Sequence, residues 1–110
     1  MRIAVVGSRT IKAFDFALVG AVAGDTIITG GAVGVDSFAE AEAQKRGLAV
    51  EVIKPDYKTY GRAATHVRNR AIVERCDRLV AFWDGQSKGT METVDYARRK
   101  GKPITIHERM

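Results

Sequence analysis

Four short segments hold the side chains with chemistry to offer: Gly7-Ser8-Arg9-Thr10 and residues 29–36, 66–70 and 84–90. The second of these, Thr29-Gly30-Gly31-Ala32-Val33-Gly34-Val35-Asp36, puts three glycines just ahead of a helix-like stretch. With no Cβ, Gly30, Gly31 and Gly34 let the chain turn sharply and bring N–H groups close to a bound anion. The helix that follows adds unpaired N–H groups and a partial positive charge at its start. Asp36, in the first turn, either complements that dipole or contacts a ligand hydroxyl. Residues 84–90, Asp84-Gly85-Gln86-Ser87-Lys88-Gly89-Thr90, repeat the pattern. Ser87, Gly89 and Thr90 offer hydroxyl and backbone donors to a phosphate, with Lys88 adding charge, although Ser87 or Thr90 serves equally as a helix cap. Gly7, Ser8 and Arg9 close the first apolar run and form a third such loop.

Residues 66–70, His66-Val67-Arg68-Asn69-Arg70, carry the densest polar signal. On a helix Arg68 and Arg70 diverge by about 200°, so one holds a phosphate while the other pairs with an acid or meets solvent. Glu92, in the first turn of the helix after residue 89, answers the helix dipole or sets a charge over a ligand, stabilising a developing cation or orienting water. Trp83 and Tyr60 are the candidate rings for stacking on a base. Two phosphate motifs are absent. The first loop reads Gly7-Ser8-Arg9-Thr10-Ile11-Lys12 rather than G-x-G-x-x-G, and residues 85–90 lack the order of a P-loop. His66 and His107 have no metal-like cluster around them, and the one cysteine, Cys76, makes neither a disulfide nor a zinc site. No metal and no cofactor is expected.

A scaffold must bring these segments together, and the apolar runs provide it. Residues 3–6, 26–29, 48–53, 79–83 and 103–106 read as short buried strands. Between them, residues 11–22 carry Ile11, Phe14, Leu18 and Val22 at helical spacing, and Val35, Phe38, Ala39 and Ala43 mark a second helix that Gly47 ends. A third helix covers residues 64–75 and a fourth residues 90–99, with residues 54–61 left as a loop. Alternating strands and helices with right-handed crossovers predict one α/β domain over residues 1–110. Its architecture is a doubly wound five-stranded parallel sheet in the order 3-2-1-4-5, Rossmann-like, with helices on both faces. Ligands in such sheets bind at the carboxyl ends of the strands beside the switch in strand order, where all three glycine loops fall.

The 110 residues carry 18 Lys and Arg against 13 Asp and Glu, a net charge of +5 that suits an anionic partner. No apolar run reaches the roughly 18 residues of a membrane span, and the first residues are too short for a signal peptide, so a cytoplasmic location is expected.

Taken together, these motifs resemble the SLOG superfamily, which includes the LONELY GUY phosphoribohydrolases and the DNA-processing protein A family. Val6-Gly7-Ser8-Arg9, Gly30-x-Ala32-x-Gly34-Val35-Asp36 and Arg68-Asn69-Arg70-Ala71-Ile72-Val73 are similar to segments of the DNA-processing proteins. Gly89-Thr90-Met91-Glu92 and His66-x-Arg68 are similar to motifs of the phosphoribohydrolases, which split the base from a nucleoside 5′-monophosphate with an arginine and a glutamate. The resemblance implies a phosphorylated nucleotide-like ligand, sensed or hydrolysed, with Arg68 and Glu92 as the catalytic pair and Asn69 and Arg70 among the binding residues. It also implies a homodimer, and the third and fourth helices offer the surface. The DNA-processing side implies the alternative, a module for single-stranded DNA. This chain departs from the hydrolases where Trp83-Asp84-Gly85 precedes the loop and Thr93 replaces their second glutamate.

Overall fold

The apolar runs form five strands, β1 (Arg2–Gly7), β2 (Thr26–Thr29), β3 (Ala49–Val52), β4 (Arg78–Trp83) and β5 (Ile104–Glu108), in a computed structural model that describes residues 1–109. They make one sheet in the order β3-β2-β1-β4-β5, every neighbouring pair parallel. The helices are α1 (Val35–Lys45), the single turn α2 (Tyr57–Tyr60), α3 (Ala64–Arg75) and α4 (Lys88–Arg99). The doubly wound α/β architecture expected from the sequence is therefore the one observed.

Continuous apolar runs suit strands buried on both faces, and β1 and β4 are such strands. Ile3, Val5, Ile27, Val80 and Phe82 turn to one face, under α1 and the segment joining β1 to β2. Ala4, Val6, Ile28, Leu79 and Ala81 turn to the other, where Ile72, Val73 and Cys76 of the α3 region and Val94 and Ala97 of α4 cover them. Each fully buried Ile or Val contributes about 1.5–3 kcal/mol, so two thin cores carry the domain.

The first connection differs from expectation. Residues 11–22 hold no α-helix, only a short 3-10 turn, Phe16–Val19. The buried set is Ile11, Phe16 and Val19, whereas Leu18 and Val22 are 48% and 66% exposed. Local polar groups explain this. The Asp15 side chain accepts from the Ala17 N–H and starts a new turn, and Gly20 ends it at φ 70°. The guanidinium of Arg78 then donates to the carbonyls of Val19 and Gly20, satisfying groups a longer helix would have used. The segment read as a loop over residues 54–61 contains α2, because the Asp56 carboxylate accepts from the Thr59 N–H and caps one turn. Likewise α4 starts at Lys88 rather than Thr90, with Ser87 as its cap.

Candidate functional site

The carboxyl ends of β1, β2 and β4 meet at one edge of the sheet, and hydrogen bonds tie the loops that leave them. The Ser8 N–H donates to the Phe82 carbonyl at 3.0 Å, and the Asp84 N–H donates to Ser8 Oγ at 3.1 Å. The Asp84 carboxylate accepts from Thr10 Oγ1 at 2.7 Å and from the N–H groups of Gln86 and Ser87 at 2.9 and 2.8 Å. These donors, Thr10 first, hold its pKa down at about 2, so the clamp stays ionised at any physiological pH. Ser8 and Asp84 thereby fix the first loop against the fourth-strand loop at the switch in strand order.

The glycine loop is filled by its own side chain. Asp36 Oδ2 accepts from the Gly30 N–H at 2.9 Å and the Ala32 N–H at 3.3 Å, occupying the amides that the sequence suggested for a ligand. Gly34, at φ 84°, presses on the first loop, where a Cβ would fall 2.7 Å from the Ser8 and Arg9 carbonyl oxygens. Gly30 lies under the Arg68 guanidinium, and a Cβ there would meet Nη1 at 2.5 Å. Arg68 reaches 38 residues back to donate to the Gly30 carbonyl, while its Nε donates to Asn69 Oδ1 at 2.7 Å. Burial pushes the Asp36 pKa up to about 6 against the pull of the two N–H groups and Arg68. Burial also lowers the Arg68 pKa, and the Asp36 charge opposes that change. A buried acid and a half-buried guanidinium thus share the floor of the site.

The start of α4 is left open. Ser87 Oγ accepts from the Thr90 N–H at 3.3 Å and lies 2.9 Å from Thr90 Oγ1. The N–H groups of Lys88 and Gly89 have no partner among the described residues. Arg9, Arg68, Asn69, Asp36 and this helix start surround a cavity of about 400 Å³. At its mouth Glu92 Oε1 and His66 Nδ1 form a close pair, each side chain about half exposed. Thr93 is buried, 3% exposed, and its Oγ1 donates to the Gly89 carbonyl at 3.0 Å.

Of the residues singled out from the sequence, Gly7, Arg9, Asp36, Arg68, Asn69, Ser87, Gly89, Thr90 and Glu92 line this one cavity. Ser8, Gly30, Gly31 and Gly34 form the loops behind it and do not line it. Lys88 is exposed outside it. Arg70 lies on the outer face of the helix pair with its guanidinium 5.5 Å from the centre of the Tyr96 ring. The two candidate stacking rings are elsewhere as well. Trp83 Nε1 donates to the Ser87 carbonyl at 3.0 Å, and Tyr60 sits exposed at the end of α2, so no Phe, Tyr or Trp ring lines the cavity. Sequence reasoning gave Thr10 and Asp84 no role of their own and did not single out Thr65, and His66, which it noted for the H-x-R motif and for lacking a metal cluster, also lines the cavity. An acid directly after a strand at the switch point, as Asp84 is, was the available signal for a loop clamp. No protein-family model matches the chain, and no curated protein matches it in sequence.

Among the described residues no helix is long and apolar enough to cross a membrane, and no group of three or more His, Cys, Asp or Glu could hold a metal ion.

Proposed function

We propose that the cavity binds a phosphorylated, nucleotide-like ligand, with the phosphate at the start of α4 and the sugar and base toward Asn69 and the His66–Glu92 pair. The observation that carries this is the convergence of Arg9 and Arg68 on one cavity with the start of α4, where the N–H of Gly89, a lining residue, has no partner among the described residues. Its volume, about 400 Å³, is that of a small-molecule site. The phosphate goes to α4 because the glycine loop already spends its Gly30 and Ala32 amides on Asp36. Charge-assisted hydrogen bonds contribute roughly 1.5–3 kcal/mol each, so a few of them hold a mononucleotide at micromolar strength. The resemblance to the SLOG superfamily supports the same class of ligand.

Binding is better supported than turnover. Thr93 stands where the phosphoribohydrolases have a second glutamate, and its buried hydroxyl caps the Gly89 carbonyl instead of offering a charge. A hydrolase of that kind would use Arg68 and Glu92, and release of free base from a nucleoside 5′-monophosphate is the assay for it. The binding itself is tested by titrating isotopically labelled protein with adenosine 5′-monophosphate and following backbone amides by NMR. The largest shifts are expected at Arg9, Lys88, Gly89 and Thr90, with Gly30 and Ala32 little moved. Shifts centred on residues 30–34 would move the phosphate to the glycine loop, and no saturable shifts anywhere would remove the proposal.

A further inference from the structure

The stretch between β3 and α3 takes no part in either core. Residues 56–63 are all exposed, and neither α2 nor the 3-10 turn after it, Gly61–Ala63, buries a residue. Beyond the Asp56 cap on Thr59, no side chain from Tyr57 to Ala63 makes a hydrogen bond or ion pair among the described residues. A segment with so little burial opens and closes at low free-energy cost. It holds two large rings in water, Tyr57 at 60% and Tyr60 at 48% exposure, together with the cations Lys58 and Arg62. Both of its ends border the cavity. Before it, Lys54 Cγ lies 3.5 Å from where a Cβ on Gly31 would stand, next in sequence to the lining residue Ala32. After it, Thr65 and His66 in the first turn of α3 line the cavity themselves. Tyr57 is also among the groups that hold the Arg68 pKa up against burial, which puts its hydroxyl near the guanidinium on the cavity floor.

We propose that residues 56–63 are a lid that closes over the cavity, and that Tyr57 supplies the ring on which the base of the ligand stacks. The inference rests on the nucleotide reading of the cavity. That reading leaves the base without an aromatic surface, since no Phe, Tyr or Trp ring lines the walls. It also turns the base toward His66, three residues beyond the end of the segment. A single exposed ring needs no explanation. Two on one unanchored turn, between ends that border a cavity without rings, do. Stacking on a tyrosine face accepts any base, so the ring selects for a base as such rather than for one of the four. Gly61, at φ 53°, gives the turn a hinge on the α3 side, while the Asp56 cap keeps α2 intact so that Tyr57 moves with it. Closure also carries Lys58 and Arg62 toward an anionic ligand.

The test compares adenosine 5′-monophosphate with ribose 5-phosphate, which has no base, by calorimetry on wild type, Tyr57→Ala and Tyr57→Phe. Trypsin cleavage after Lys58 and Arg62, followed by mass spectrometry with each ligand present, reports closure. Tyr57 is exposed, and an unchanged thermal midpoint confirms that the variants fold. Wild type should bind the nucleotide at least about fivefold more tightly than the sugar phosphate, and the nucleotide alone should slow cleavage at both sites. Tyr57→Ala should lose that gain and the protection, with the sugar phosphate little affected, and Tyr57→Phe should restore both. Equal affinity for the two ligands in wild type, or a gain and protection that survive Tyr57→Ala, overturns the lid and leaves the cavity reading standing. So does an equal loss for both ligands in Tyr57→Ala, which would remove stacking as the role of the ring. A gain that depends on Tyr57 without protection of Lys58 and Arg62 overturns closure. No binding of either ligand removes the lid and the cavity reading together.

Discussion

Replacing Asp36 with Asn should change how stability depends on pH, and the size of the change follows from the structure. Asp36 is 6% exposed, and burial raises its pKa from 3.8 to about 6. Arg68 of α3 pulls against that rise and Glu40 of α1 adds to it. As pH climbs from about 4, the unfolded chain gives up the proton first, and the folded chain keeps it until about 6. The stabilising contribution of the protonated acid is therefore complete below pH 4, falls through that window and is level above it. At about 1.36 kcal/mol per unit, the loss comes to about 3 kcal/mol. Asn keeps an oxygen to accept from the Gly30 and Ala32 N–H groups but does not titrate. Urea unfolding followed by circular dichroism from pH 3.5 to 7.5 gives stability for both proteins. Acids with lowered pKa values, such as Asp84, lose stability in the opposite direction as pH falls, but they cancel in the difference. Wild type should lose nearly all of that stabilisation, about 2.7 kcal/mol, relative to the variant across the range from pH 3.5 to pH 7.5. A difference flat to within about 0.5 kcal/mol, or one of opposite sign, would refute the claim that burial governs Asp36.

Other substitutions probe the remaining parts. Gly7→Ala would place a Cβ 2.4 Å from the Phe82 carbonyl oxygen and 2.5 Å from Val35 Cγ2, so a loss of about 1–3 kcal/mol is expected, read as a lower thermal midpoint. An unchanged midpoint would mean that β1 and α1 pack less tightly than the structure has them. Asp84→Ala unties the Thr10, Gln86 and Ser87 donors and should weaken nucleotide binding along with stability; a variant that binds as well as wild type would reduce Asp84 to a bystander. Glu92→Ala removes a half-exposed carboxylate and should leave mononucleotide affinity within about threefold, since exposed pairs are worth roughly 0–1 kcal/mol. If base release is found, the same variant should abolish it.

Much of this architecture was legible in the sequence because the signals were redundant. Residues 3–6, 26–29 and 79–83 are apolar runs closed by glycine or acid, and only a parallel sheet buries such runs on both faces. The connection at residues 11–22 misled because Ile11, Phe14, Leu18 and Val22 fit helical spacing, while Asp15 and Gly20 each impose a local bond that spacing does not reveal. Within the site, the helical angle between Arg68 and Arg70 already required them to part, and Arg68 took the cavity. What stayed hidden was the use of the loop amides. Whether Asp36 reaches back to Gly30 or outward to a ligand depends on its burial beneath Arg68, a tertiary fact with no local trace. Trp83 was hidden for the same reason, since its indole N–H finds the Ser87 carbonyl only once the loop is folded.

The central claim is that the cavity beside α4 holds a mononucleotide through Arg68, and one titration addresses it directly. Calorimetry of adenosine 5′-monophosphate into wild-type protein and into Arg68→Ala should show saturable binding of micromolar strength in the first. In the second, affinity should fall by about 10- to 100-fold, the worth of one charge-assisted contact. Equal affinity in the two proteins, or no heat of binding in the wild type up to millimolar nucleotide, would contradict it.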